Sequence, residues 1–178
     1  TELIIIQNYG GMVGGADYYI YQYAKENELN IKAVYTIKMP ENFTLTFTVP
    51  KFYVNRTLKN ADKKINNVIN SIVSGYYKIP KKCKTKRDTY LKNKSNWHLI
   101  GEDFSTTQNC IKCGKCVSIC PVNNISLQNE KIVFSNKCVA CLGCYHRCPL
   151  KAIIYKEKNK KDRYINSNVI ESNIGRDL

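Results

Sequence analysis

CIKCGKCVSICP at residues 110–121 and CVACLGCYHRCP at residues 138–149 are two copies of one pattern, offset by 28 positions. Each reads C-x2-C-x2-C-x3-C-P, and the likeness runs past the prolines, where Ile125 answers to Ile153 and Leu127 to Tyr155. A duplicated unit predicts two small halves packed about a pseudo-twofold axis, with those aliphatic positions buried between them. Pro121 and Pro149 stop any helix and fix the turn behind the fourth cysteine. The region covers only about 50 residues, too few to stand on an apolar core without a covalent or metal staple.

The spacing says which staple. Three cysteines, each two residues apart, converge from one tight loop onto three corners of a cubane cluster, and the fourth follows on a segment heading away. Where two such runs occur together, that fourth thiolate ligates the other cluster. Cys110, Cys113, Cys116 and Cys148 therefore form one predicted [4Fe–4S] ligand set, and Cys138, Cys141, Cys144 and Cys120 the second. Crossed ligation explains why the unit comes as a pair. Gly114 and Gly143 keep the loops small, so that amide N–H groups approach the sulfurs and tune the potential. Zinc sites also use C-x2-C pairs, but they close with four ligands and separate the pairs by a longer loop. Disulfide frameworks belong to oxidising compartments, whereas C-x2-C spacing more often marks metal or redox chemistry. The cysteine usage thus predicts a protein of the reducing cytoplasm.

Residues 1–80 have a different texture. Leu3 to Ile6 are a short apolar, β-branched run, which reads as a buried strand. Gly10, Gly11, Gly14 and Gly15 follow, and a glycine-rich turn after a strand brings backbone close to a ligand. Ala16, Ile20, Tyr23 and Ala24 recur at helical spacing to about Leu29, and Ile31 to Ile37 read as a second strand, halted near Pro40. Strand, turn, helix, strand is a βαβ unit, whose crossover implies parallel strands. Phe43, Leu45, Phe47 and Val49 alternate with threonines, predicting a half-buried strand or an extended lobe. From Asn60, the positions Ile65, Val68, Ile69, Ile72, Val73 and Tyr76 form an apolar helical stripe ending at Gly75 and Pro80. Residues 81–106 lack periodicity and read as a linker, with Trp97 and Leu99 as anchors.

Over 110–149 the cysteine-rich part resembles, residue by residue, the bacterial-type two-cluster ferredoxins. ICPVNNISL after the first run and CYHRCPLKAIIY at the second are similar to the ferredoxin half of flavodoxin–ferredoxin fusion proteins. NYGGMVGGA, followed by IKMPENF at 37–43, is similar to the later part of their flavodoxin-like half. The resemblance implies an α/β plus α+β architecture. A partial flavodoxin-like parallel unit would occupy 1–80, a basic linker 81–106, a pseudo-twofold two-cluster ferredoxin domain 107–158 and a polar tail 159–178. It implies FMN beside Asn8, Tyr9, Gly10 and Gly11, with Tyr9 as the aromatic neighbour of the ring. It also implies entry at the fourth strand, since no phosphate loop of the T-x-T-G kind is present. FMN would then need the phosphate-loop half to be supplied. The implied function is electron transfer, with two clusters exchanging single electrons with redox partners and, in an intact form, with the flavin. The electron-input domain of a flavin-dependent reductase is the alternative.

The net charge of +14 is unevenly spread. Residues 51–100 carry +11 against −2 for residues 1–50, and the density peaks at Lys78 to Arg87 (KIPKKCKTKR). Such a patch steers an acidic redox partner, a ferredoxin, flavodoxin or reductase, by long-range attraction. The same field attracts nucleic acid, but the sequence has no recognition helix, stacking motif or nucleic-acid fold to go with it. No stretch approaches about 18 consecutive apolar residues, and no basic-then-apolar leader pattern opens the chain. Cys83 reads as a free surface thiol among lysines that lower its pKa. His146, between Cys144 and Cys148, reads as a solvent-facing loop residue, with tuning of the second cluster as the alternative, while His98 has no identifiable partner. No Ser–His–Asp set, paired carboxylates or Walker loop is visible, and no catalytic residue is assigned.

Overall fold

Two β-branched runs joined through a glycine turn and an amphipathic helix are built to pair in parallel. The computed structural model, which describes residues 1–45, 48–83, 97–158, 163–166 and 169, shows that pairing. The chain divides into two units, Thr1–Asn42 with Val49–Tyr90 and Phe43–Thr48 with Leu91–Leu178.

In the first unit β1 (Leu3–Tyr9) runs parallel to β2 (Ile31–Lys38), in steady register from Ile4↔Ala33 to Tyr9↔Lys38. Helix α1 (Ala16–Glu26) makes the crossover. Successive side chains leave opposite faces of a strand. Ile5 and Val34 accordingly pack with Ile20, Tyr21 and Ala24 of α1, while Ile4, Ala33 and Tyr35 pack with Val68 and Ile72 of α2 (Lys51–Val73). Covering both faces is why β2 is buried or half-buried at every position but its last. Helix α2 starts at Lys51, well before the expected Asn60, because its first half shows the sheet no apolar stripe to read. Of the predicted stripe, Val68 and Ile72 meet the sheet, whereas Ile65, Ile69, Val73 and Tyr76 are exposed. A two-stranded sheet is too narrow to cover the rest. Cys83 is half-buried against Gly15, not a free surface thiol.

The second unit recruits a segment from far back in the sequence. Phe43 and Leu45 form no strand; they turn into a core with Phe104, Leu142, Tyr145 and Ile153. Thr46 and Phe47 lie outside the described residues. Residues 97–106, read as linker, are structured: a 3-10 segment Trp97–Asp103 leads into β3 (Phe104–Thr106). Ile100 and Phe104 anchor it, Leu99 is exposed, and the Trp97 side chain lies outside the described set. Four short elements follow: α3 (Lys115–Ser118), β4 (Ile125–Gln128), β5 (Lys131–Phe134) and α4 (Gly143–Arg147), with β6 (Ile153–Tyr155) closing the series. Strand β4 pairs antiparallel with β5, and β6 with β3. At the 28-residue offset α3 maps onto α4 and β4 onto β6, so the sequence repeat is a structural one. Ile125 and Ile153 are both buried as expected, but Leu127 is 49% exposed while its counterpart Tyr155 packs on Phe104 at 5.2 Å. No helix among the described residues is long and apolar enough to cross a membrane.

Candidate metal centre

The loops that carry the cysteines repeat down to their unusual backbone angles. Lys112 and Ala140, Gly114 and Leu142, and Asn123 and Lys151 are pairs at the same offset, and all six have φ between 51° and 74°. Left-handed residues interleaved in a tight loop turn successive N–H groups inward, which makes a concavity suited to anionic sulfur. The left-handed position of the second copy falls on Leu142 and not on Gly143, where the sequence placed the loop's flexibility. A leucine there costs roughly 1–2 kcal/mol. Leu142 is 2% exposed, so its burial offsets that cost.

Each loop opens into a cavity. One is lined by Cys110, Cys113, Cys116 and Cys148, with Lys112 and Ile153 among its other walls. The second is lined by Cys120, Cys138, Cys141 and Cys144, with Phe104, Ile125, Phe134 and Leu142. Three thiols of one run and the last thiol of the other thus face each space. Among the described residues no three Cys, His, Asp or Glu side chains draw together where a single ion would sit. A zinc site needs thiolates about 2.3 Å from one metal. Thiols that ring a cavity suit a polynuclear cluster instead.

Backbone donors reach the sulfurs. Asn124 N–H donates to Cys120 Sγ and Ala152 N–H to Cys148 Sγ, each at 3.2 Å and again 28 residues apart. Ala140 N–H donates to Cys138 Sγ at 3.4 Å. Without metal, burial pushes the Cys116 thiol up to about 11, and the neighbouring thiols Cys110 and Cys113 push the same way. Burial pushes Cys144 up to about 12, helped by Cys141, Cys138 and, across the repeat, Cys116. Cys138 is also raised, by burial first, against the Ala140 N–H that favours its thiolate. These are sites made to hold thiolates only when a cation is there to neutralise them, so metal uptake must release protons.

Several supporting residues escape sequence reasoning. Buried Asn124 accepts at Oδ1 from Lys137 N–H (2.6 Å) and from the Ser135 hydroxyl (3.0 Å), clamping the strand that leads into Cys138. Its counterpart is Ala152, so the repeat gives no hint of it. Segment 163–166, part of the predicted polar tail, lies over α4. The Arg163 guanidinium stacks 3.4 Å from the centre of the Tyr145 ring and donates to the Ile153 carbonyl at 2.9 Å. His146 does not face solvent: it is buried on α4, and its Nδ1 accepts from Tyr164 N–H at 3.1 Å. His98 is exposed.

In the first unit, Asn8 and Tyr9 end β1 and Gly10 and Gly11 form the turn after it. The Gly11 N–H donates to Glu41 Oε2 at 2.9 Å, and Gly10 lies against the same carboxylate. The turn is thus closed by a side chain of the chain itself. Of the basic stretch, Lys78, Lys81 and Lys82 are exposed, while Lys84, Lys86 and Arg87 lie outside the described residues.

No curated protein matches the chain. Residues 109–153 match the family model described as a 4Fe-4S dicluster domain. The cysteine-bearing part is therefore a ferredoxin-type iron–sulfur domain within a mixed α/β chain, a metal-binding unit with an electron-transfer role.

Proposed function

We propose that the chain is an electron carrier with two [4Fe–4S] clusters, one held by Cys110, Cys113, Cys116 and Cys148 and the other by Cys138, Cys141, Cys144 and Cys120. The observation that carries this reading is the lining of the two cavities, each with three thiols of one run and the fourth of the other. Each cluster, when bound, takes up and returns one electron. The protein's part is to hold it in partial burial and to aim N–H groups at its sulfur ligands, which moderates the added charge. Cys113 and Cys141 are exposed, and they mark where each cluster would come nearest to a partner. Cys116 is close enough to raise the Cys144 thiol, and the two mark the way between the clusters.

The partner is an acidic redox protein, a ferredoxin, flavodoxin or reductase, drawn by the positive charge of residues 51–100. A flavodoxin-like origin of residues 1–80 draws support from the parallel β1–α1–β2 unit with α2 on its other face. FMN at Asn8, Tyr9, Gly10 and Gly11 would require Glu41 to leave the turn. Anaerobically purified protein is expected to be brown, to contain about eight iron and eight sulfide per chain, and to bleach on reduction. Colourless protein with stoichiometric zinc overturns the reading, and about four iron reduces it to a single cluster.

A further inference from the structure

Helix α2 changes character along one face. Tyr53, Arg56, Asn60, Lys64, Val68 and Ile72 follow one another at steps of three or four residues, which places them in a single stripe. The last two pack on β2 with Ala33 and Tyr35. The first four border a cavity of about 530 Å³, together with Tyr9 and Lys38, the final residues of β1 and β2. The buried face of the helix continues past Val68 only through the small residues Ala61 and Thr57, which form the cavity floor. Beside them the helix presents an arginine, an asparagine and a lysine toward open space.

That space has the position, size and charge of a ligand site. In open parallel α/β sheets ligands bind outside the carboxyl ends of the strands. Small-molecule sites run from about 300 to 1,000 Å³. Lys38, Arg56 and Lys64 are three cations around one cavity with no acidic lining residue, and among the described residues none of them pairs with a carboxylate. Lys38 Nζ instead lies 5.7 Å above the Tyr53 ring. Like charges gathered round a cavity repel one another until an anion neutralises them. Arginine offers a bidentate fork to phosphate and lysine a mobile point charge. Three cations exceed what one phosphate needs at about −1.5 to −2 charge. Tyr9 and Tyr53 add flat apolar walls beside the cations.

We propose that the first unit binds a diphosphate-bearing small molecule in this cavity, through Arg56, Lys64 and Lys38. The proposal is independent of the cluster reading. It shares Tyr9 with the stretch before the Gly10–Gly11 turn but does not use the two glycines, which Glu41 occupies.

The test is calorimetric titration of the full, cluster-loaded chain with inorganic pyrophosphate and then with ADP. Saturable one-to-one binding of pyrophosphate is expected. The double substitution Arg56→Gln/Lys64→Gln should weaken it roughly tenfold or more, since two charge-assisted contacts are lost. Lys59→Gln/Lys63→Gln removes the same charge from residues of α2 outside the cavity lining, and should change affinity less than about twofold. Tighter binding of ADP, with the gain lost in Tyr53→Ala, identifies an ester held partly by its ring. Equal affinity for both ligands identifies the free anion. Unchanged thermal melting and iron content verify that each variant folds. Should the Arg56/Lys64 variant not fold, Lys38→Gln at the exposed end of β2 takes its place, with a loss of several-fold expected. No saturable binding of either ligand, or equal weakening by the two double variants, overturns the proposal.

Discussion

Gly101 stands where the 3-10 segment crosses the approach to the second cysteine loop. A Cβ there would lie 2.5 Å from the Ser135 carbonyl oxygen and 2.9 Å from Cys138 Cβ, closer than real atoms sit. Neither neighbour is the far end of a flexible side chain. Gly101→Ala is therefore expected to push the Cys138 loop aside, at a cost of about 1–3 kcal/mol. The second cluster's spectrum should broaden while the first stays sharp, and a thermal melt with electron paramagnetic resonance would show both. A variant with unchanged melting and spectra would mean the loop has slack. The cysteines were legible in the sequence because ligand spacing is a local property of one tight loop. Gly101 and Asn124 were not, because what they touch comes from elsewhere: Asn124 meets Lys137 13 residues on. Leu142 was hidden for another reason. Its buried side chain makes it read as an ordinary core residue, and nothing in the pattern reveals its left-handed backbone.

Helices α3 and α4 are four and five residues long, far below what forms alone in water. They exist because the thiols on them and around them are held together. The crossed arrangement gives each fourth cysteine a cross-repeat effect. Cys120→Ala is expected to damage mainly the cluster at Cys138, Cys141 and Cys144, and Cys148→Ala mainly the cluster at Cys110, Cys113 and Cys116. Reductive titration followed by electron paramagnetic resonance distinguishes the two. If each substitution instead strikes the cluster of its own run, the sites are two independent four-cysteine loops. At this scale the β1–α1–β2 crossover could be read from period and punctuation. The first half of α2 could not, because the positions it buries are Thr57 and Ala61, which carry no strong hydrophobic period. At Phe43–Leu45 the structure has a turn where a strand was one of two expectations, because alternation with threonines reports that alternate residues are buried and says nothing about which unit buries them.

The division into two units separates two sources of stability. The first has apolar layers on both faces of its sheet. The second has a small, largely aromatic core around Phe104, Tyr145 and Ile153, and its two cysteine loops surround two cavities. Chelation or oxidative loss of the clusters should therefore abolish the cooperative melting of the second unit and leave that of the first in place, because ligation there supplies folding free energy. An apo protein that keeps both transitions would show that the aromatic core suffices. Charge is divided just as unevenly, with +11 of the net +14 in residues 51–100. If that excess meets an acidic carrier, its effect lies in the association rate, and exposed charges are screened beyond about 8 Å at physiological salt. The rate of electron exchange with an acidic ferredoxin or flavodoxin should fall steeply as salt rises. Reversing Lys81, Lys82, Lys84 and Lys86 to Glu should flatten that dependence and slow exchange at low salt. Iron content should not change, since Lys81 and Lys82 line neither cysteine cavity and no lysine is among the proposed ligands. Stopped-flow rates across a salt series in both proteins decide it. Equal slopes would mean that the lysines are a solvated surface and that a partner approaches the clusters by another face, where Cys113 or Cys141 is exposed.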